Sequence, residues 1–191
     1  MTISTARPER GTAGLTLVEL MISSGLGSLI MAGVLSVVLM MGRSEMASSN
    51  YADMEAQSRR AVDEFAQDVR MASDVVWNSA TSVTLTVPDN YTATGNKVTY
   101  ALDSSTSGPT ARTFYRLPGD TTSSSAREIM ARNVSSLAFS RFTRTNAAAT
   151  DDYSTKRLQL TVNLRTSAQT TVDQNTLIVS ASYVLRNKPS N

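Results

Sequence analysis

The sequence predicts an α+β fold in which one long N-terminal helix packs on an antiparallel β-sheet. Three observations carry this: a long apolar stretch near the start, a three-and-four spacing of apolar residues after it, and a switch to alternation further on. Leu20 to Gly42 is 23 residues without a charge, and as a helix rising about 1.5 Å per residue it would extend roughly 35 Å, enough to cross a bilayer. Val62, Phe65, Val69, Ala72 and Val76 then recur every three or four positions, with Arg59, Arg60, Asp63, Glu64, Asp68 and Arg70 between them. That is the pattern of an amphipathic helix with one buried stripe. Neither Pro nor Gly interrupts residues 43–78, so the expectation is one helix from about Leu15 to Trp77, with Trp77 closing the stripe as a core residue.

Beyond Asn78 the period becomes two. "SVTLTV", "KVTYAL", "RLQLTVNL" and "TLIVSASYVL" alternate apolar and polar residues, as half-buried antiparallel strands do. "RTFYRL" and "SLAFSRF" are weaker strand candidates. Clusters of Thr, Ser, Gly, Asn and Asp at 88–96, 103–111, 118–126, 145–154 and 166–175 read as loops. The resulting division is 1–14, a polar leader; 15–42, the apolar half of the helix; 43–77, its amphipathic half; and 78–191, a β-sheet region. No internal repeat is visible, and the length supports one compact domain plus one membrane element.

The 191 residues contain no Cys and no His, which excludes disulfides, thiolate chemistry, imidazole metal sites and His-dependent triads. No activated nucleophile or acid/base constellation stands out, so the reading is not an enzyme, with no cofactor and no metal. Asp151 and Asp152 lack the regularly spaced oxygen ligands of a calcium loop. The net charge of +2 is unevenly spread: residues 43–76 hold four Arg against seven acids, and the chain from Trp77 onward holds twelve Lys and Arg against seven acids. Arg127, Arg132, Arg141, Arg144, Lys156, Arg157 and Arg165 are candidates for an anion-binding or DNA-binding face, but Phe139, Phe142 and Tyr153 are too scattered to stack bases. A solvated sheet face is the simpler expectation. "NYT" at Asn90 and "NVS" at Asn133 fit the glycosylation sequon, a pattern short enough to arise by chance.

The apolar run is too long for an ordinary secretory signal, and Arg7 and Arg10 before it favour a cytoplasmic leader and an exported C-terminal region, with Arg43 on the other flank. Inside this anchor sits one carboxylate, Glu19. A carboxylate in lipid costs about 2.5 to 3.5 kcal/mol near a helix centre on insertion scales, less toward an interface, so it calls for a cation or for snorkelling toward water. Gly25, Gly27 and Gly33 with Ser23, Ser24, Ser28 and Ser36 offer notches for close helix approach.

"G-LTLVE" after a short basic leader resembles the class III signal of type IV prepilins and type II secretion pseudopilins. "SRRAVDEFAQDVRMAS" is similar to the helical stretch of PilW-type minor pilins and J-class pseudopilins, and "EIMARNVSSLAFSRF" with the late "YVLRN" is similar to their sheet region. Leu15 stands where that family most often has Phe. The resemblance implies a pilin-like fold, cleavage between Gly14 and Leu15 by prepilin peptidase, N-methylation of Leu15, and a subunit-assembly role for Glu19 through the amine of a neighbouring subunit. It also implies partners: other minor pilins or pseudopilins, a major pilin and an inner-membrane assembly platform. The implied location is the bacterial inner membrane, then a pilus or pseudopilus. The implied function is a structural subunit that helps initiate or cap the filament. The alternative is a displayed binding module, an adhesin or DNA receptor, that uses the basic sheet region.

Overall fold

The computed structural model describes residues 14–165 and 176–189. Residues 1–13 of the expected leader, with Arg7 and Arg10, and the expected loop at 166–175 lie outside the described residues. The fold is α+β: a long N-terminal helix, α1 (Leu17–Met71), packs on antiparallel sheets. The chain divides into two units, the first ending at Met46 and the second beginning at Ala47.

In the first unit, Leu17 to Met41 are all exposed. This stretch is long and apolar enough to cross a membrane, with a mean hydropathy of 2.0 over its best window and none of that window buried. Ser28 and Ser36 donate their hydroxyls to the carbonyls of Gly25 and Ala32, which satisfies them within the helix.

In the second unit, the strands are β1 (Asp74–Ser79), β2 (Ser82–Thr86), β3 (Lys97–Asp103), β4 (Thr113–Pro118), β5 (Glu128–Ala131), β6 (Val134–Phe142), β7 (Arg157–Arg165) and β8 (Thr176–Val184). They form two antiparallel sheets in simple sequence order, β1-β2-β3-β4-β5 and β6-β7-β8. Both weaker strand candidates form, as β4 and β6. The two sheets are joined where Phe139 N donates to the Ala80 carbonyl and Val134 N to that of Arg112.

The helix stops sooner than its spacing predicts. α1 ends at Met71, and Val76 and Trp77 belong to β1, so the boundary expected at 77 moves back six residues. "ASDVVW" fits both periods, and no Gly or Pro marks the stop. Tertiary pairing decides it: Ser73 N donates to the Thr86 carbonyl at 2.8 Å, and Asp74 to Trp77 align with Thr86 to Val83 of β2. β-Branched Val75 and Val76 and aromatic Trp77 suit a strand. Val75 is then buried while Val76 turns outward, 44% exposed, and Trp77 is half-buried against the core rather than within it.

One core serves helix and sheets. Phe65 is fully buried, with its ring 5.2 Å from Tyr100 of β3, 5.6 Å from Phe139 of β6 and 6.2 Å from Tyr183 of β8. A single helical side chain thus touches both sheets. Leu158, Leu160, Val162 and Leu164 supply the buried row of β7, and Val83, Leu85, Val98 and Tyr100 that of β2 and β3. The abundant Thr residues are accommodated by pairing: buried Thr84 and Thr99 share a hydroxyl contact of 2.8 Å, and Thr99 donates to the Gly119 carbonyl. Gly119 itself has φ +107°, and a Cβ there would fall 2.5 Å from Ser123. Glycine is required at this turn on both counts.

Candidate functional site

Gly14, Leu15 and Thr16 precede α1 without helical structure, and Gly14 and Leu15 are exposed. Nothing lies within 4 Å of where a Cβ on Gly14 would stand. Glu19, in the first turn, is also exposed, but its carboxylate is engaged. The Thr16 backbone N–H and the Thr16 hydroxyl both donate to Glu19 Oε2, at 3.0 and 2.9 Å, and the Glu19 N–H returns a bond of 3.3 Å to Thr16 Oγ1. With Leu20 N bonded to the Thr16 carbonyl, Thr16 is the N-cap and Glu19 the third helical residue of a capping box. The acid also faces the positive end of the helix dipole. Thr-x-x-Glu is a sequence-level signature, so this role was legible in "TLVE", although the membrane context draws attention to the acid alone. The box starts at Thr16 and uses only one Glu19 oxygen. Its three bonds involve Thr16 and Glu19 alone, and Oε1 has no hydrogen-bond partner among the described residues.

A second polar constellation was not expected. Asp68, read from the sequence as one of the polar residues between the apolar ones, is 3% exposed. It lies three residues after Phe65 and one before Val69, on the buried side of α1, and that spacing was the available signal. Tyr91 and Tyr100 each donate a hydroxyl to Asp68 Oδ2 at 2.7 Å, Asn90 donates to Oδ1 at 3.4 Å, and Arg116 Nε stands 3.6 Å away. Arg116 Nη1 also reaches Glu64 and Glu128, at 3.3 and 3.0 Å, and Nη2 donates to Tyr91 Oη. Arg60 bridges the same two glutamates from outside, each at 3.1 Å.

Burial pushes the Asp68 carboxyl above the usual range, against the lowering effects of the Tyr100 hydrogen bond and the Arg116 charge. Burial, followed by the Asp68 charge, pushes the Tyr100 hydroxyl far up, so it stays a donor. A polar cleft of about 310 Å³ opens over this cluster, lined by Glu64, Gln67, Asp68, Asn90, Arg116 and Glu128. Every named charge is paired within it, and no set of acids fit to hold a metal occurs among the described residues. Removing one member of such a network leaves the others without their partners. Its chemistry is that of a latch between α1 and the five-stranded sheet.

Five of the seven basic residues make contacts of their own within the chain. Arg127 pairs with Asp103 and stacks over Tyr115; Arg141 pairs with Asp152 and stacks over Trp77; Arg157 lies over Phe142. Lys156 donates to the carbonyls of Lys188 and Pro189, and Arg132 donates through its backbone N–H to Gln57. Of the two acids considered for calcium, Asp151 accepts from Ser154 N, and Asp152 accepts from Trp77 N and Arg141. Asn90 of the first sequon is engaged with Asp68, while Asn133 of the second sits exposed in a left-handed turn, φ 56°.

No family model matches the chain, and no curated protein matches it.

Proposed function

We propose that the chain is a minor pilin or minor pseudopilin, a structural subunit that helps initiate or cap a type IV pilus or type II secretion pseudopilus, and not an enzyme. The observation that carries this reading is the Gly14-Leu15-Thr16-Leu17-Val18-Glu19 sequence placed at the start of an exposed, membrane-length apolar helix that continues into a helix-on-sheet unit. Prepilin peptidase cuts after Gly14, Leu15 becomes the N-methylated first residue, and the chain is held in the inner membrane by α1 with its sheets outside the cytoplasm. The capping geometry supports the assignment, because Glu19 keeps its first turn folded through Thr16 while Oε1 is free to accept the Leu15 amine of a neighbouring subunit. The occupied state of the basic residues supports assembly over nucleic-acid capture, since Arg127, Arg141 and Arg157 are stacked and two of them ion-paired.

The test is processing. In a host with prepilin peptidase, intact mass should place the mature N-terminus at N-methylated Leu15, and Gly14→Glu should leave the chain uncut, because the peptidase site admits a small residue there. An unprocessed parent chain, or cleavage at another bond, would overturn the reading. Glu19→Val should be cut normally and enter the membrane as well as the parent, yet crosslink poorly to other minor subunits; normal crosslinking removes Glu19 from the assembly contact.

A further inference from the structure

The four outer edges of the two sheets are treated differently. At β1, Trp77 N donates to the Asp152 carboxylate. At β5, only four residues long, the Arg132 N–H that follows the strand is taken by Gln57 and Glu128 is held by Arg60. Along β6, Val134 N and Phe139 N donate to the carbonyls of Arg112 and Ala80, and Phe142 bridges to Ala148. β8 alone keeps an open side: among the described residues no backbone group bonds to it. Its nine residues, Thr176 to Val184, include no charge, no Pro and no Gly, the devices that normally blunt an edge. Ile178 is 65% exposed, and the row facing α1, Leu177, Val179, Ala181 and Tyr183, is only half covered.

Beside that row, α1 and β8 enclose a groove of about 240 Å³, with Tyr51, Val62, Leu177 and Val179 among its walls. On the helical rim Glu55 is ion-paired to Arg59, whereas Asp63 makes no ion pair among the described residues. Asp63 lines the groove with Leu177 and Val179, and Arg70 covers the Tyr183 ring further along the strand, 5.5 Å from its centroid.

We propose that β8 is a strand-addition site, and that its occupant is an extended segment of a different protein, with apolar residues on its α1-facing side and one Lys or Arg among them to meet Asp63. The ladder of unpaired N–H and C=O groups selects an extended backbone, the groove selects alternate apolar side chains, and Asp63 selects the cation. A second copy of this chain fits less well. β8 carries no Lys or Arg that could meet Asp63 of a second copy. The inference stands on residues 47–189 and is independent of the processing of Gly14 and Leu15.

The probe is a blocked nine-residue peptide alternating threonine and valine, with lysine replacing one central valine, added to the 191-residue chain in detergent micelles. Hydrogen exchange of the β8 amides should slow at every second position. Replacing the lysine by glutamate should weaken binding about three-fold or more, a magnitude set by an exposed ion pair and its reversal. Asp63→Asn should abolish that difference. A peptide N-methylated at alternate amides on its pairing edge should not bind, and Ile178→Lys, placed on the face away from α1, should leave the fold intact and the binding within two-fold. The proposal is overturned if no peptide protects β8, if the N-methylated peptide binds equally, or if β8 is protected without peptide in a manner that rises with protein concentration, which identifies a second copy as the occupant.

Discussion

The two halves of α1 share one secondary structure and little else. From Leu17 to Met46 every large apolar side chain is exposed. From Ala47 to Met71 the helix buries Met54, Ala61, Phe65, Ala66 and Val69 along one stripe and exposes charge elsewhere. The first half is apolar all round and leaves its burial to a surrounding medium; the second is amphipathic and finds its apolar partner in its own sheets. Hydrophobicity therefore does opposite work within one helix. In the second half it holds the fold, and in the first it contributes to nothing inside the described residues. The polar groups divide in the same way: Glu19 is solved locally by Thr16 three residues away, whereas Asp68 needs Tyr91, Tyr100 and Arg116, brought from 23 residues or more along the chain.

The comparison is most sharply tested by truncating one apolar residue in each half. Phe65→Ala should destabilise the second unit by about 3 to 5 kcal/mol, since it empties the position that contacts both sheets. Leu29→Ala, at a side chain 72% exposed, should leave that stability within about 0.5 kcal/mol of the parent. Denaturant unfolding in micelles, followed through Trp77, the sole tryptophan, reads both. Equal losses would mean that the two halves are not separate in energy.

Asp68→Asn tests the non-local polar group through pH. The folded-state carboxyl is raised above its unfolded value, so its contribution to stability is fully present below the ordinary carboxylate pKa of about 4 and is lost as pH rises through the folded value. Asn does not titrate. The stability of the variant relative to the parent should therefore improve as pH rises from 3 to 7, whatever the offset at the acid end from replacing a protonated carboxyl by an amide. A difference that stays flat, or runs the other way, shows that pairing with Arg116 and the tyrosines outweighs burial.

A smaller loss than at Phe65, confined to the first turn, belongs to the local polar group. Thr16→Ala should cost about 0.5 to 2 kcal/mol of helix stability at the first turn, seen as faster amide exchange at Leu17, Val18 and Glu19 in micelles, with the unfolding of the second unit unchanged. If the second unit is also destabilised, the cap is coupled to the core and the halves are not independent.

Most of the strands were legible because alternation is a local property: Leu158, Leu160, Val162 and Leu164 are two apart in sequence and share one face whatever packs on them. β1 and β5 were not. "DVVW" satisfies the helical period as well as the strand period, and "EIMA" is too short to show any period at all. The pairing partners decided both, Val83 to Thr86 for β1 and Phe114 to Arg116 for β5. The same limit applies to the division of the strands into two sheets. It depends on which edges Ala80 and Arg112 reach, and no spacing encodes that.

By itself the sequence determined the membrane-length apolar helix, the amphipathic stripe around Phe65 and the principal strands, because each is written in residues within a turn or two of one another. Only the tertiary structure decided where α1 ends, that Asp68 is buried under two tyrosines and an arginine, and that β8 has an outer side to which no backbone group bonds among the described residues. Each of these depends on groups far apart in the chain, and their proximity is set by the packing of the whole core rather than by any local preference.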